Sequence, residues 1–514
     1  MYPGAYLATT PNKPAVVMAD TGVIVTFAEL ESRSARIARY FRQIGLRRGD
    51  HLALLSDNDH RVFDVYWAAM RSGVYLTAIN RHLTTDELAY IVNDCGATAL
   101  VASAALSDLA EKIVDLTPGV SHRLVFGGDA PGHVSLDEVL RGVSDAPLED
   151  QPRGNDMLYS SGTTGRPKGI KPALPERQIE DPGDPLVELC RTMWRMGPDT
   201  VYLSTAPLYH AAPLRTAAGA QALGGTVVVM GRFDPELSLS YIERYRVTHS
   251  QWVPTMFVRM LKLADAVRNR YDVSSMRVAI HAAAPCPVEI KRAMIEWWGP
   301  VLLEFYSSTE VNGMTFISSE EWLRKPGSVG RSVLGTVHVC AEDGTELPAG
   351  EIGIVYFERD VMPFEYHNDP DKTREAQHPA HDNWSTTGDV GYVDPDRYLY
   401  LTDRTTFMII SGGVNIYPQE IESALTVHPK VLDVAVIGVP DTEMGESVMA
   451  VVQVVPGIEP SDEVAEELLD FLRTRLARYK VPRRVEFTDE LPRTPTGKLV
   501  KGKLRDRYRA TADA

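Results

Sequence analysis

Between residues 24 and 45, Phe27, Leu30, Ile37, Phe41 and Ile44 recur at helical spacing, and Gly45 ends the pattern. Thr26 and Glu29 stand three apart just before it, the spacing of a capping box. Leu52 to Leu55 is a short unbroken apolar run, which predicts a buried strand. Val62 to Met70 returns to helical spacing, Thr84 to Leu88 opens another helix, and Ala97 to Ala102 predicts a further strand. Strands alternating with helices predict α/β layers. The alternation resumes at Val201 to Thr205, Gly224 to Val229 and Arg277 to Ile280. Between the two halves, residues 171–200 carry Pro172, Pro175, Pro182 and Pro185. This predicts a loop, then a helix near Leu186 to Met196, lying on the surface.

From residue 409 the pattern changes. Ile409 to Pro418 reads as strand, turn and strand, and Pro418 starts a helix through Ile421 and Leu425. Val434 to Val439 and Val448 to Val455 predict strands. Val464, Leu468, Phe471, Leu472 and Leu476 form one helical face behind Ser461 as cap, and Val485 to Phe487 predicts a last strand. This is a small α+β unit with its own core.

Composition narrows the class. The chain has 514 residues, 44% hydrophobic and 24% charged, enough for more than one domain. No apolar run is long enough to span a bilayer; Ala217 to Met230 comes nearest and is broken by Gln221 and three glycines. No basic-then-apolar leader opens the sequence. Cys95, Cys190, Cys286 and Cys340 form no CxxC pair, so a reducing cytoplasm is the expected setting. A net charge of −16 argues against nucleic-acid binding. Residues 473–514 nevertheless hold thirteen Lys/Arg against five Asp/Glu. That end suits either a piece that meets an anionic ligand or a solvated tail.

Four runs carry chemistry. Tyr159 to Gly169 is rich in glycine and hydroxyls: Ser160, Ser161, Gly162, Thr163, Thr164 and Gly165, with Lys168 near its end. Backbone amides, hydroxyls and one ammonium make a phosphate cradle. It is not a Walker A loop, because Gly169 follows the lysine. Next comes Glu304-Phe305-Tyr306-Ser307-Ser308-Thr309-Glu310, then Trp384-Ser385-Thr386-Thr387-Gly388-Asp389. Last is Leu491 to Leu499, a proline- and glycine-held loop from which Lys498 projects.

Taken whole and in this order, these runs resemble those of the acyl-adenylate-forming superfamily: acyl-CoA synthetases, adenylation domains and luciferases. The resemblance covers essentially the whole chain. It implies an α/β fold with a large N-terminal domain of layered sheets and helices (residues 1–403) and a small mobile α+β C-terminal domain (residues 404–514). The implied reaction joins a carboxylic acid to AMP with release of pyrophosphate, then to the thiol of coenzyme A.

Roles follow by resemblance. The 160–168 loop holds ATP phosphates. Tyr306 and the Ala283-Ala284-Pro285 run flank adenine, with Ser307 and Ser308 beside it. Thr309 meets the α-phosphate, Glu310 holds Mg²⁺, Asp389 takes the ribose diol, and Arg404 serves ribose and phosphate. Lys498 bridges the carboxylate and α-phosphate. His210, Tyr209, Trp252, Ala282, Ala283 and Val311 to Gly313 line the acyl site. Ser411, Gly412 and Gly413 border the pantetheine route, and basic residues of the small domain meet the CoA phosphates. Departures from the pattern are Ala282-Ala283 where two glycines are usual, Ser307 for a glycine whose φ could be positive, and Thr406 at the hinge. No Lys or Arg stands among the expected acyl-site residues, so the acid is expected to be hydrophobic: fatty, steroid side-chain or aryl. Loading of a carrier protein and a non-catalytic nucleotide-binding regulator are the alternatives. An oxidative, luciferase-like activity is not separated by these motifs, and the resemblance leaves room for a homo-oligomer.

Overall fold

The computed structural model describes residues 1–146, 148–159, 167–493 and 499–510, without the side chains of residues 405, 509 and 510. Two sheets dominate. In the nine-stranded sheet, Pro14–Met18, Thr226–Val229, Val201–Ser204, His249–Trp252, Val278–His281 and Leu302–Ser307 run parallel, with antiparallel strands at both edges. The six-stranded sheet built on His51–Leu55, Tyr75–Ile79 and Ala99–Ser103 is parallel throughout. Parallel strands covered on both faces read as continuous apolar runs. His51–Leu55 and Ala99–Ser103 are buried at every position.

The helix Phe27–Gln43 begins with the full capping box: Thr26 accepts from the Glu29 amide, and Glu29 accepts from Thr26. Thr84 and Glu87 repeat it at Thr85–Asp94. Each cap satisfies amides that the first helical turn leaves orphaned.

The 171–200 segment differs from its expected surface position. Its helix, Pro185–Thr192, is capped by Asp184, whose carboxylate pairs with the buried Arg153 at 2.9 Å. Val187, Cys190, Trp194 and Met196 sink into the main core, and the Met1 amino group donates to the Ile179 carbonyl. The prolines shape the loop; the apolar residues after them dock it.

A third, mostly antiparallel sheet ends with Asp389–Val393 paired to Leu399–Arg404. The chain then enters a five-stranded sheet at Ile409–Ser411. Ser411 pairs with Val414 across a two-residue turn, and Gly412 and Gly413 both have positive φ (57° and 78°). That conformation is the glycine-favouring hairpin turn. The long pair Val431–Asp441 and Gly445–Val454 forms the middle of this sheet, against helices Pro418–Thr426 and Asp462–Arg473.

Candidate active site

In open parallel sheets, ligands bind beyond the carboxyl ends of the strands. A cleft of about 1090 Å³ lies there. Thr205 and Pro207 reach it past the strand Val201–Ser204, Gly231 and Phe233 past Thr226–Val229, and Val253 and Pro254 past His249–Trp252. Ala282 to Pro285 follow Val278–His281, and Tyr306 and Ser307 end Leu302–Ser307. Asp389, Arg404, Leu491, Arg493 and Leu499 line the same cleft.

Asp389 is the centre of one network. Its Oδ2 accepts from the Tyr306 hydroxyl at 2.7 Å and from Thr387 at 2.9 Å; its Oδ1 accepts from Arg404 Nε at 2.9 Å. Burial first, and then the Asp389 charge, push the Tyr306 phenol well up, so it remains a donor. A carboxylate offers roughly four acceptor positions. With three filled by the protein, a ribose diol at Asp389 would displace one of these donors.

A second network joins the first and second motifs. Tyr159 starts the glycine-rich loop from the strand Leu158–Tyr159, and Gly169–Lys171 receives the chain after it. A Cβ on Gly169 would come within 2.9 Å of the Tyr159 ring, so the two stem strands need glycine to close. Lys168 lies over the Tyr366 ring at 5.2 Å, and the Tyr366 hydroxyl donates to Glu310 Oε1 at 2.8 Å. Tyr366 is thus the link between phosphate loop and Glu310. Tyr366 stands outside the four motif runs, and only its place opposite Ile170 in the small sheet brings it to them. Ser160 to Gly165, and Lys498, lie outside the described residues. The stem of the Lys498 loop is described: Arg493 pairs with Leu499, Val500 N donates to Pro492 O at 2.7 Å, and Leu491 and Leu499 pack beside Leu504.

Ser307 carries no strain. It is the last residue of an extended strand, paired with Met314, and its hydroxyl donates to Gly313 O at 2.7 Å. The positive φ falls instead on Val311 (52°) and Ala283 (77°). Left-handed conformations cost a non-glycine residue about 1–2 kcal/mol, and such strain gathers at functional sites. The alanine in place of glycine at 283 therefore costs backbone energy as well as width. Ser308 donates to Asn312 at 2.9 Å, fixing the turn above Thr309 and Glu310.

Several expected acyl-site residues lie elsewhere. Trp252 is 1% exposed, bonded through Nε1 to Ser250 at 2.5 Å and packed edge-on to Trp298; it is core, not cleft wall. Asn312 is buried beneath the turn, and Gly313 abuts Phe357, whose ring a Cβ there would overlap. Tyr209 and His210 meet as tilted rings at 4.5 Å, and unlike Pro207 and His82 neither lines the cleft. Burial holds the His210 imidazole down at about 3, so near pH 7 it is neutral, one ring nitrogen a donor and the other an acceptor. Ser411, Gly412 and Gly413 do not line the cleft. Arginines do: Arg81, Arg232 and Arg259 stand on its wall, contrary to the expectation of a site without cations.

The comparisons agree with this geometry. A model of the AMP-binding enzyme family matches residues 5–364, and one of the AMP-binding enzyme C-terminal domain matches residues 420–498. The chain belongs to this family. A long-chain-fatty-acid–CoA ligase of Mycobacterium tuberculosis is 33% identical over 98% of this chain and 97% of its own length. A feruloyl-CoA synthase of an Amycolatopsis species is 36% identical over 95% and 94%. The solved structure of the anthranilate CoA ligase AuaEII with anthranoyl-AMP superposes with a TM-score of 0.85 at 26% identity, covering 100% of this chain and 97% of that one. The resemblance read from the motifs is borne out: the chain is an acyl-adenylate-forming enzyme of the acid–CoA ligase type. Among the described residues no helix is long and apolar enough to cross a membrane.

Proposed function

We propose that the enzyme activates a hydrophobic carboxylic acid in two steps, with Lys498, Lys168, Thr309 and Glu310 serving the first. A carboxylate is a poor electrophile, and its mixed anhydride with phosphate makes AMP the leaving group. Few covalent tasks fall to the protein, so catalysis is positioning and charge neutralisation. One observation carries this reading: the Lys168–Tyr366–Glu310 and Tyr306–Asp389–Arg404 groups are neighbours, with Arg404 close enough to interact with Glu310 and Tyr366. ATP laid along them has its base by Ala283 to Pro285, its ribose by Asp389 and its phosphates toward the 160–168 loop.

Mg²⁺ suits Glu310, whose Oε1 is bonded to Tyr366 while Oε2 makes no hydrogen bond among the described residues. A single carboxylate plus phosphates is the usual Mg²⁺ arrangement, and the ion when bound neutralises phosphate charge. The hydrophobic substrate is supported by Pro207, Phe233, Val253, Met256 and Val258 on the cleft wall, and by the fatty and feruloyl substrates named for the relatives. Residues 1–403 and 404–514 form the two moving parts, hinged near Thr406, in a cytoplasmic enzyme.

The test is pyrophosphate and AMP release across a panel of acids. Fatty or aryl acids are expected to give AMP with CoA thioester. Release of ADP, or uniformly faster turnover of short hydrophilic acids, overturns the reading.

A further inference from the structure

The basic residues of the small lobe that reach the cleft are already matched. Arg493 makes a two-point fork with Asp433, and Lys501 pairs with Glu422 at 2.8 Å behind it. Two arginines of the large domain on the opposite wall differ. Arg232 follows the strand Thr226–Val229, and Arg259 lies on the helix Pro254–Leu261. Neither has a carboxylate within 4 Å among the described residues; the nearest acid, Asp234, caps the following helix through the Leu237 amide. Arg259 lies 5.0 Å from the Phe233 ring, which fixes its plane beside the cleft. Partial desolvation lowers the Arg259 guanidinium from its ordinary value, Asp234 opposes this, and Arg232 adds to it. Two adjacent guanidiniums beside a cleft, neither in an ion pair among the described residues, form a preorganised anion site.

We infer that Arg232 and Arg259 hold the nucleotide phosphates of coenzyme A at the mouth of the cleft and so select CoA as the acyl acceptor. The inference rests on the ligase reading above and adds to it the residues that recognise the thiol substrate. Guanidiniums bind phosphate with paired N–H donors. The pantetheine arm, which is uncharged, would then run inward past Val253 and Pro254 toward Ala283. No bond is made or broken at the rim; the two arginines position CoA and take no part in the chemistry.

The experiment compares wild type with the Arg232→Ala/Arg259→Ala double variant and with the corresponding double Lys variant. Both side chains are exposed, so neither change removes core packing. Three rates are measured: acid-dependent ATP–pyrophosphate exchange, thioester formation with CoA, and thioester formation with pantetheine. The double Ala variant is expected to raise KM for CoA about tenfold or more, with kcat and exchange unchanged. Its KM for pantetheine should match that of wild type, and Lys should recover most of the loss. An unchanged KM for CoA overturns the inference. So does a parallel rise in KM for the acid during exchange, which would place the rim against a second anionic group on the acid. Wild type that ignores CoA and acylates a phosphopantetheine carrier protein also overturns it. Wild type with no exchange at all is a different failure, that of the ligase reading itself.

Discussion

Two populations of charge meet in this molecule, and the fold treats them in opposite ways. Beneath the sheet, Lys291 (0% exposed) lies 2.5 Å from Glu304, with Trp322 under its ammonium at 4.9 Å. Burial pushes the Glu304 carboxyl up, against the pull of Lys291; Glu304 borders the cleft, but its carboxylate is already taken by the buried lysine. At the cleft rim, Arg232 and Arg259 have solvent and, among the described residues, no carboxylate within bridging distance. Matched buried charges hold structure, because each would be ruinous alone. Unmatched charges beside a cleft await a ligand. Several cations of the small lobe are matched as well, though at the surface: Lys430 pairs with Glu467 at 2.6 Å, Lys480 with Glu420 at 2.5 Å and Arg483 with Asp441 at 2.9 Å. Its local excess of positive charge is therefore a weaker guide to anion binding than two arginines elsewhere in an acidic chain.

The largest expected effect breaks the buried pair. Glu304→Ala leaves the Lys291 ammonium buried without a partner, with His281 3.7 Å from the lost carboxylate and itself unbonded. Breaking such a pair costs about 3–5 kcal/mol. Urea denaturation should show the midpoint falling by the corresponding amount. A shift below about 1 kcal/mol would mean that the pair is dispensable, and the contrast between the two populations would lose its first half.

What the sequence disclosed follows the same division. The capping boxes at Thr26 and Thr84, the strands Leu52 to Leu55 and Ala97 to Ala102, and the turn at Gly412-Gly413 were all legible. Each depends on residues within a few positions of one another. The motifs at Tyr306 and Asp389 were legible as chemistry, and their hydrogen bond spans 83 residues. Illegible were the facts that need three dimensions. Trp252 points into the core because the strand's face places it there. Arg232 and Arg259 share a rim because the ends of two strands do. The helix after Pro185 is docked because Trp194 meets Phe305 at 5.4 Å. Whether a cation is matched or unmatched is a property of neighbours far along the chain, and no local pattern records it.

A next, smaller effect concerns a charge the fold refuses to form. The His249 ring is buried, donates from Nε2 to the Trp194 carbonyl at 3.0 Å, and is held at about 4 by desolvation. Its pKa is depressed on folding, so the unfolded chain binds the proton more tightly. Stability is fully present above about 6.5 and is lost as pH falls toward 4. The loss is up to about 3 kcal/mol for this one group. His249→Gln should flatten that slope in melts taken between pH 7 and 4; an unchanged slope would show that other groups carry it.

Lys501→Ala comes next. Lys501 is 5% exposed and its partner Glu422 also accepts from the Val436 amide at 2.7 Å, so the carboxylate keeps one donor when the lysine goes. A lost bond between charged groups costs about 1.5–3 kcal/mol. The measurement is the unfolding midpoint. A loss as large as that of Glu304→Ala would show that retaining a donor gives no relief, which would narrow the comparison to burial alone.

The smallest effect is expected where the charges are unmatched. Arg232→Ala and Arg259→Ala remove no salt bridge and no buried packing, and surface changes of that kind stay within about 0.5 kcal/mol. Removing one of two adjacent cations also relieves their mutual repulsion, which offsets part of the lost contact between Arg259 and Phe233. The double variant should therefore melt with wild type while its thioester formation with CoA weakens. A pair of side chains that changes binding but not stability is what a ligand site predicts. If the double variant instead lost as much stability as Lys501→Ala, these arginines would have to be counted with the matched charges. Their place at the cleft would then be incidental to the fold's need for them.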